Sequence, residues 1–163
     1  MNKRILAAVG LFLGLALGMA PGIRAATPTL ASFDFNNPTF THSHPFAKAH
    51  VVIQVSQDSP AVWTLTLNNA KNLLDYFGPE QVQIVVVAYG PGLKIFFDKS
   101  PVAQYIASLD AEGVEFDACH NTYEAFTKAL GKAPVLVPQA VMVPAGVVRI
   151  MQLEQHGFDY IRP

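Results

Sequence analysis

Apolar and polar positions along the chain fall into two alternating rhythms. Across 50–55 the β-branched residues Val51, Val52, Ile53 and Val55 crowd together, enough for one buried strand. Ser59-Pro60 then offers an N-cap with proline in the first turn. Trp63, Leu67, Ala70, Leu74 and Phe77 recur at intervals of four and three, which sets them on one helical face, and Gly78-Pro79 predicts its end. The unit repeats. Residues 82–88, with Ile84, Val85, Val86 and Val87 consecutive, predict a second strand buried on both faces, and Tyr89-Gly90-Pro91-Gly92 a turn. Ser100-Pro101 repeats the cap-plus-proline signal, Val102, Ile106 and Leu109 form a stripe, and Gly113 closes it. Residues 114–118 predict a third strand. Asn121 with Glu124 three positions on resembles a capping box, opening a helix with Phe126, Ala129 and Leu130 on one face and Gly131 as its stop. A fourth strand at 140–143, a helix from 144 to about 156 and a short strand at 158–161 complete the pattern. Strands alternating with helices predict an α/β fold of three layers, with a mainly parallel sheet of about five strands covered on both faces. The hand of each crossover is set, but strand order stays open.

The pattern also divides the chain. Lys3 and Arg4 precede an uncharged run from Ile5 to Ala20, then Pro21-Gly22 and Ile23-Arg24-Ala25, the three-part layout of a secretory signal over 1–25. The run is shorter than the roughly 20 residues of a membrane span, although an uncleaved anchor is the alternative. A lipoprotein is excluded because the sole cysteine is Cys119. Residues 26–47 hold Pro28, Pro38 and Pro45 with no sustained period, and predict a linker or an arm packed on the surface. Residues 48–163 form the domain.

Composition narrows the classes. Of 163 residues 51% are hydrophobic and 14% charged, which suits one domain with a real core and excludes a disordered chain. The formal charge is −1, so there is no basic footprint for nucleic acid. Removing 1–25 takes away Lys3, Arg4 and Arg24 and no acid, leaving eight basic and twelve acidic residues, a formal charge of −4. One thiol makes no internal disulfide, and no Cys/His cluster has zinc spacing. The expected product is an acidic, exported (periplasmic) protein with no cofactor, no metal, no nucleic-acid partner and no membrane attachment after cleavage. So apolar a domain with so little charged surface is expected to form a homo-oligomer.

Ligands of an open parallel sheet gather outside the carboxyl ends of its strands. Four junctions reach that edge: Gln57-Asp58-Ser59, Tyr89-Gly90-Pro91-Gly92, Cys119-His120-Asn121 and Pro144-Ala145-Gly146. The glycine turn matches neither a dinucleotide fingerprint nor a P-loop. It is a tight turn, or a loop whose backbone amides at Tyr89, Gly90 and Gly92 approach a small anion or sulfur species. Cys119 carries the most information. At a strand end just before a helix cap, unpaired amides and the helix dipole would favour thiolate over thiol. His120 beside it could add charge or carry a proton. Glu115 and Asp117 would oppose the thiolate if they point toward it, and strand alternation suggests that Asp117 does; otherwise Asp58 and Asp117 read as solvated or capping carboxylates. An inert, half-buried cysteine is the competing reading. His42 and His44 are spaced for a short metal clasp but fall in the irregular arm, where solvation is the default.

From His50 onward the chain resembles the DsrE/DsrF-like family. The resemblance rests on Ala88-Tyr89-Gly90-Pro91-Gly92-Leu93, on Gly113-Val114-Glu115-Phe116-Asp117-Ala118-Cys119-His120-Asn121-Thr122, and on Val143-Pro144-Ala145-Gly146-Val147-Val148 running to Gln155-His156-Gly157-Phe158-Asp159-Tyr160-Ile161. It implies a small three-layer domain of Rossmann-like topology, assembly as a trimer or hexamer, and sulfur relay in which a cysteine, here Cys119, carries a persulfide. His120, Asn121, Tyr89, Gly90, Gly92 and Ser59 are then the candidate binding residues around it. A sulfur donor or acceptor protein is the implied partner, and an export signal separates this chain from cytoplasmic relay proteins. Two other readings stand beside it: a non-catalytic oligomeric module binding a small ligand or protein, and metal delivery through His42, His44 and His50.

Overall fold

The computed structural model describes Leu30 and residues 32–163; the secretory signal over 1–25 lies outside the described residues. Five strands, β1 (Ala49–Val55), β2 (Val82–Ala88), β3 (Glu115–Cys119), β4 (Ala140–Val143) and β5 (Asp159–Ile161), form one sheet in the order β4-β3-β2-β1-β5. Every pairing is parallel. The helices α1 (Pro60–Phe77), α2 (Ala103–Ala111), α3 (His120–Leu130) and α4 (Gly146–Gln155) connect them in turn. Each of the first three connections steps to the next strand on the same side. α4 instead carries the chain from the β4 edge to the far side of β1.

That reversal divides the two faces. Val51, Ile53, Val55, Ile84, Val86, Phe116 and Ala118 point toward α1, α2 and α3 and form the main core with Trp63, Leu67, Ile106 and Leu109. Val52, Val85 and Val87 point the other way, to a smaller cluster with Ile150 and Leu153 of α4 and Phe158. Residues 34–41 complete this second outer layer. The domain is therefore three-layered, with three helices on one face and one helix plus an extended arm on the other.

The local signals operate much as the residue types dictate. Ser59 Oγ accepts from the Val62 amide at 3.4 Å, Pro60 opens α1, and Gly78 closes it at φ 85°. Five readings need correction. Phe77 ends α1 exposed, edge-on to Tyr76 rather than in the core. α2 starts at Ala103, because Ser100-Pro101 makes a turn in which the Ala103 amide donates to the Ser100 carbonyl at 3.1 Å. β3 extends one residue further than its pattern predicts, since Cys119 pairs in register with Val143. On α3, Tyr123 and Phe126 make the inward contacts, Phe126 edge-on to Phe97 with ring centroids 5.4 Å apart, whereas Ala129 and Leu130 are exposed. The stretch Gly90–Phe96 after β2 is a 3-10 helix rather than a bare turn. Gly92 within it lies against the end of β1, where a Cβ would sit 2.7 Å from the Val55 carbonyl carbon.

Gly92→Ala should destabilise the protein by about 3 kcal/mol in urea unfolding, because backbone meets backbone and neither can yield. Gly131→Ala, at φ 67° with open space around it, should cost only about 1 kcal/mol.

Candidate functional site

Parallel register sets out the α4 face of the sheet in rows. Val52, Val85 and Glu115 lie in one row, with Tyr160 beside Val52; Gln54, Val87, Asp117 and Val141 lie in the next. Tyr89 follows Val87 by two along its strand, and Cys119, paired with Val143, follows Asp117 by two. Cys119 thus stands at the carboxyl rim, where the chain leaves β3 for α3 on one face and leaves adjacent β4 for α4 on the other. This is the switch point at which open α/β sheets collect ligands.

Cys119 is the N-cap residue of α3, and its side chain makes no capping bond. It is only 5% exposed, yet lies outside both apolar clusters. The Tyr89 phenol is raised above its ordinary pKa by burial, then by the nearby Tyr160 phenol; Arg162 opposes this and Cys119 adds to it. Tyr89 is thus within electrostatic reach of each of the other three groups. The Tyr89 ring lies on the start of α4, where a Cβ on Gly146 would come within 2.9 Å of it. The Tyr160 hydroxyl donates to Gln54 Oε1, and Gln54 Nε2 donates to Ser56 Oγ at 3.0 Å.

Several predicted members are engaged elsewhere. Asn121 is not the helix cap; α3 already starts at His120, and the Asn121 amide donates to the Pro144 carbonyl at 3.3 Å, tying the two rim loops together. His120 reaches Glu124 at 3.7 Å, one turn along α3. The glycine turn presents no free amides to an anion. The Tyr89 amide donates to Val55 O, Gly90 to Thr122 Oγ1 at 2.9 Å and Gly92 to Tyr89 O. Gly90 and Gly92 are therefore packing residues, and Ser59 serves as the α1 cap. Asp58 is half exposed and paired with Lys94 at 2.5 Å.

Asp117 is not a solvated carboxylate: it is fully buried. Its Oδ2 accepts from Arg149 Nε at 2.7 Å, while Arg149 Nη2 donates to Glu115 Oε1 at 2.9 Å. All three side chains are at least nine-tenths buried. Arg149 also donates to Gln152 Oε1 at 2.7 Å and to the Thr39 carbonyl at 3.0 Å, and lies 5.0 Å from the Phe40 ring centre. Glu115 Oε2 accepts the Thr41 amide at 2.5 Å, and Gln152 and His156 hold the carbonyls of Asp34 and Asn36. Among the described residues Asp117 Oδ1 has no partner. Burial raises the Asp117 carboxyl, the adjacent Glu115 raises it further, and Arg149 opposes both, leaving it at about 8.

His42 and His44 are not solvated either. His42 Nε2 pairs with Asp110 at 3.1 Å, and His44 Nε2 donates to the Gly113 carbonyl at 3.0 Å, both at the amino edge of the sheet away from Cys119. His50 packs edge-on to Phe158. Among the described residues no group of three His, Cys, Asp or Glu side chains could hold a metal ion. Arg149, Tyr160, Arg162 and Gln54 escape motif reading, but strand parity alone would have placed Gln54, Tyr89, Asp117 and Cys119 on one face.

A protein of Methanobacterium thermoautotrophicum, described as the protein of unknown function MTH1491, superposes with a TM-score of 0.63. It is 31% identical, over 71% of this chain and all of its own length. The chain belongs to the family of that archaeal protein. A second solved structure, a conserved protein of unknown function, BT1422 from Bacteroides thetaiotaomicron, matches at 14% identity and a TM-score of 0.49, over 74% of this chain and all of that one. No family model matches the chain, and no curated protein does. The family relation carries the three-layer fold with its parallel sheet.

The raised carboxyl has a consequence for stability. Above pH 3.8, the ordinary value for Asp, the unfolded chain releases a proton that folded Asp117 keeps up to about 8, so stability falls as pH rises through that window. Thermal melts across pH 5–8 should show this slope, and Asp117→Asn should flatten it.

Proposed function

We propose that this is an exported DsrE-like sulfur carrier that holds sulfane sulfur on Cys119 as a persulfide. The observation that carries the reading is the placement of this single sulfur at the switch-point rim, at a helix start and within electrostatic reach of Tyr89. In the step, Cys119 thiolate attacks the outer sulfur of a donor persulfide, R–S–SH. A new S–S bond forms, the donor S–S bond breaks, and R–S⁻ leaves with the electron pair. The transferred sulfur keeps its proton, and an acceptor thiolate later takes it by the same exchange. One cysteine suffices because the second thiol belongs to donor or acceptor.

Intact-mass measurement after treatment with a small persulfide donor should show a gain of one sulfur atom, reversed by a thiol and absent from Cys119→Ser. An unmodified protein, under conditions that convert a small thiol control, would sink the reading.

The 5% exposure of Cys119 favours a second reading, an oligomeric module that binds a small ligand or protein without sulfur chemistry. Under it Cys119→Ser would fold, assemble and function as the parent does. Assembly as a trimer or hexamer is supported in either case by apolar side chains left outside, among them Tyr76 and Phe46. Light scattering at micromolar concentration should report an oligomer, and N-terminal sequencing of exported protein should begin at Ala26.

A further inference from the structure

The arm at 34–41 lies on α4 and β3 without any strand ladder of its own. It is held by side chains: Arg149 on the Thr39 carbonyl, Gln152 on that of Asp34, His156 on that of Asn36, and Glu115 on the Thr41 amide. Two of these four belong to the buried ionic cluster, so the arm and the cluster share atoms. The cluster contains one guanidinium and two carboxyls, all nearly removed from water. A second buried negative charge would have no counterpart, and an uncompensated buried charge is among the costliest features a fold can hold. One carboxyl must therefore keep a proton while the site stays closed.

The surroundings of Asp117 identify where that closure is weakest. The charged groups facing it are Glu115 from its own strand and Arg149 from α4. Its strand neighbours are Val87 from β2 and Val141 from β4. The carboxyl lines a cavity of about 20 Å³, room for about one water molecule, whose walls include Thr39 of the arm and Ser32 and Phe33 just before it, as well as Val141, Val143 and Pro144. An ionised Asp117 needs water at its unpartnered oxygen. Moving β4 or β2 to admit it breaks a parallel ladder, whereas moving the arm breaks the side-chain attachments above and lifts Phe40 off Phe158 and Arg149.

We propose that the arm is a strap latched by one proton: 34–41 stay docked while the Glu115–Asp117 pair shares a proton beside Arg149, and detach when that proton leaves. Detachment uncovers the β3 face beneath the arm, including the carboxyl pair, and leaves the sheet and the three-helix face intact. The latch is independent of what Cys119 does.

Hydrogen exchange of the full chain, read by mass spectrometry and corrected for intrinsic rates, tests this between pH 7 and pH 9.5. Protection in peptides covering 34–41 should fall about tenfold per pH unit once the proton is lost, while peptides covering 82–88 hold theirs. Asp117→Asn should keep the arm protected throughout. It retains His42, His44 and His156, so a fall that persists in this variant would belong to those groups and overturn the proposal. Arm protection constant with pH in the parent protein would overturn it too, as would equal loss in the 82–88 peptides, which signals global unfolding. Should Asp117→Asn not fold, Glu115→Gln carries the same expectation, since one carboxylate then faces one guanidinium and no shared proton is needed.

Discussion

A single guanidinium holds the α4 side of this protein in place. Arg149 joins the helix it stands on to two carboxyls of the central strands and to the backbone of the arm. The opposite face needs no such device, since three helices press aliphatic side chains onto β1, β2 and β3. On the α4 side the apolar cluster is small, and polar contacts organise what burial alone leaves under-determined. Removing one partner of such a buried set typically costs about 3–5 kcal/mol, because the remaining charge has nowhere to go.

The same geometry stiffens the rim. Asn121 donates across to Pro144, Gly90 donates to Thr122, and Gly92 admits the end of β1. Adjoining rim loops are thus bonded to each other rather than free to swing. Cys119 sits at this braced rim, within electrostatic reach of the Tyr89 phenol. The carboxyls two and four positions earlier on its strand are occupied by Arg149, which takes them out of direct competition for the thiol.

Most elements were legible in the sequence because glycine, proline and β-branched runs punctuate them. The bounds of β2 and β4 and the cap of α1 follow from such residues directly. The misplaced starts of α2 and α3 share a cause. A serine-proline pair and an asparagine both carry capping chemistry, but neighbouring strands and turns had already claimed their backbone groups. The rim position of Cys119 was readable for the same reason β3 was. Its near-complete burial was not, because that depends on α4 and the tyrosines arriving from distant parts of the chain. Arg149 gave no signal as the partner of Asp117, since 32 residues and a reversal of direction separate them, and an exposed helical arginine is the ordinary expectation.

β5 comprises three residues, Asp159–Ile161, and among the described residues its sole strand neighbour is β1. Where those three residues fray, Val51, Val52 and Ile53, all buried, lose the cover on one flank. A flank bared in that way is a template on which another extended segment can pair. Three residues thus stand between this sheet and edge-to-edge association.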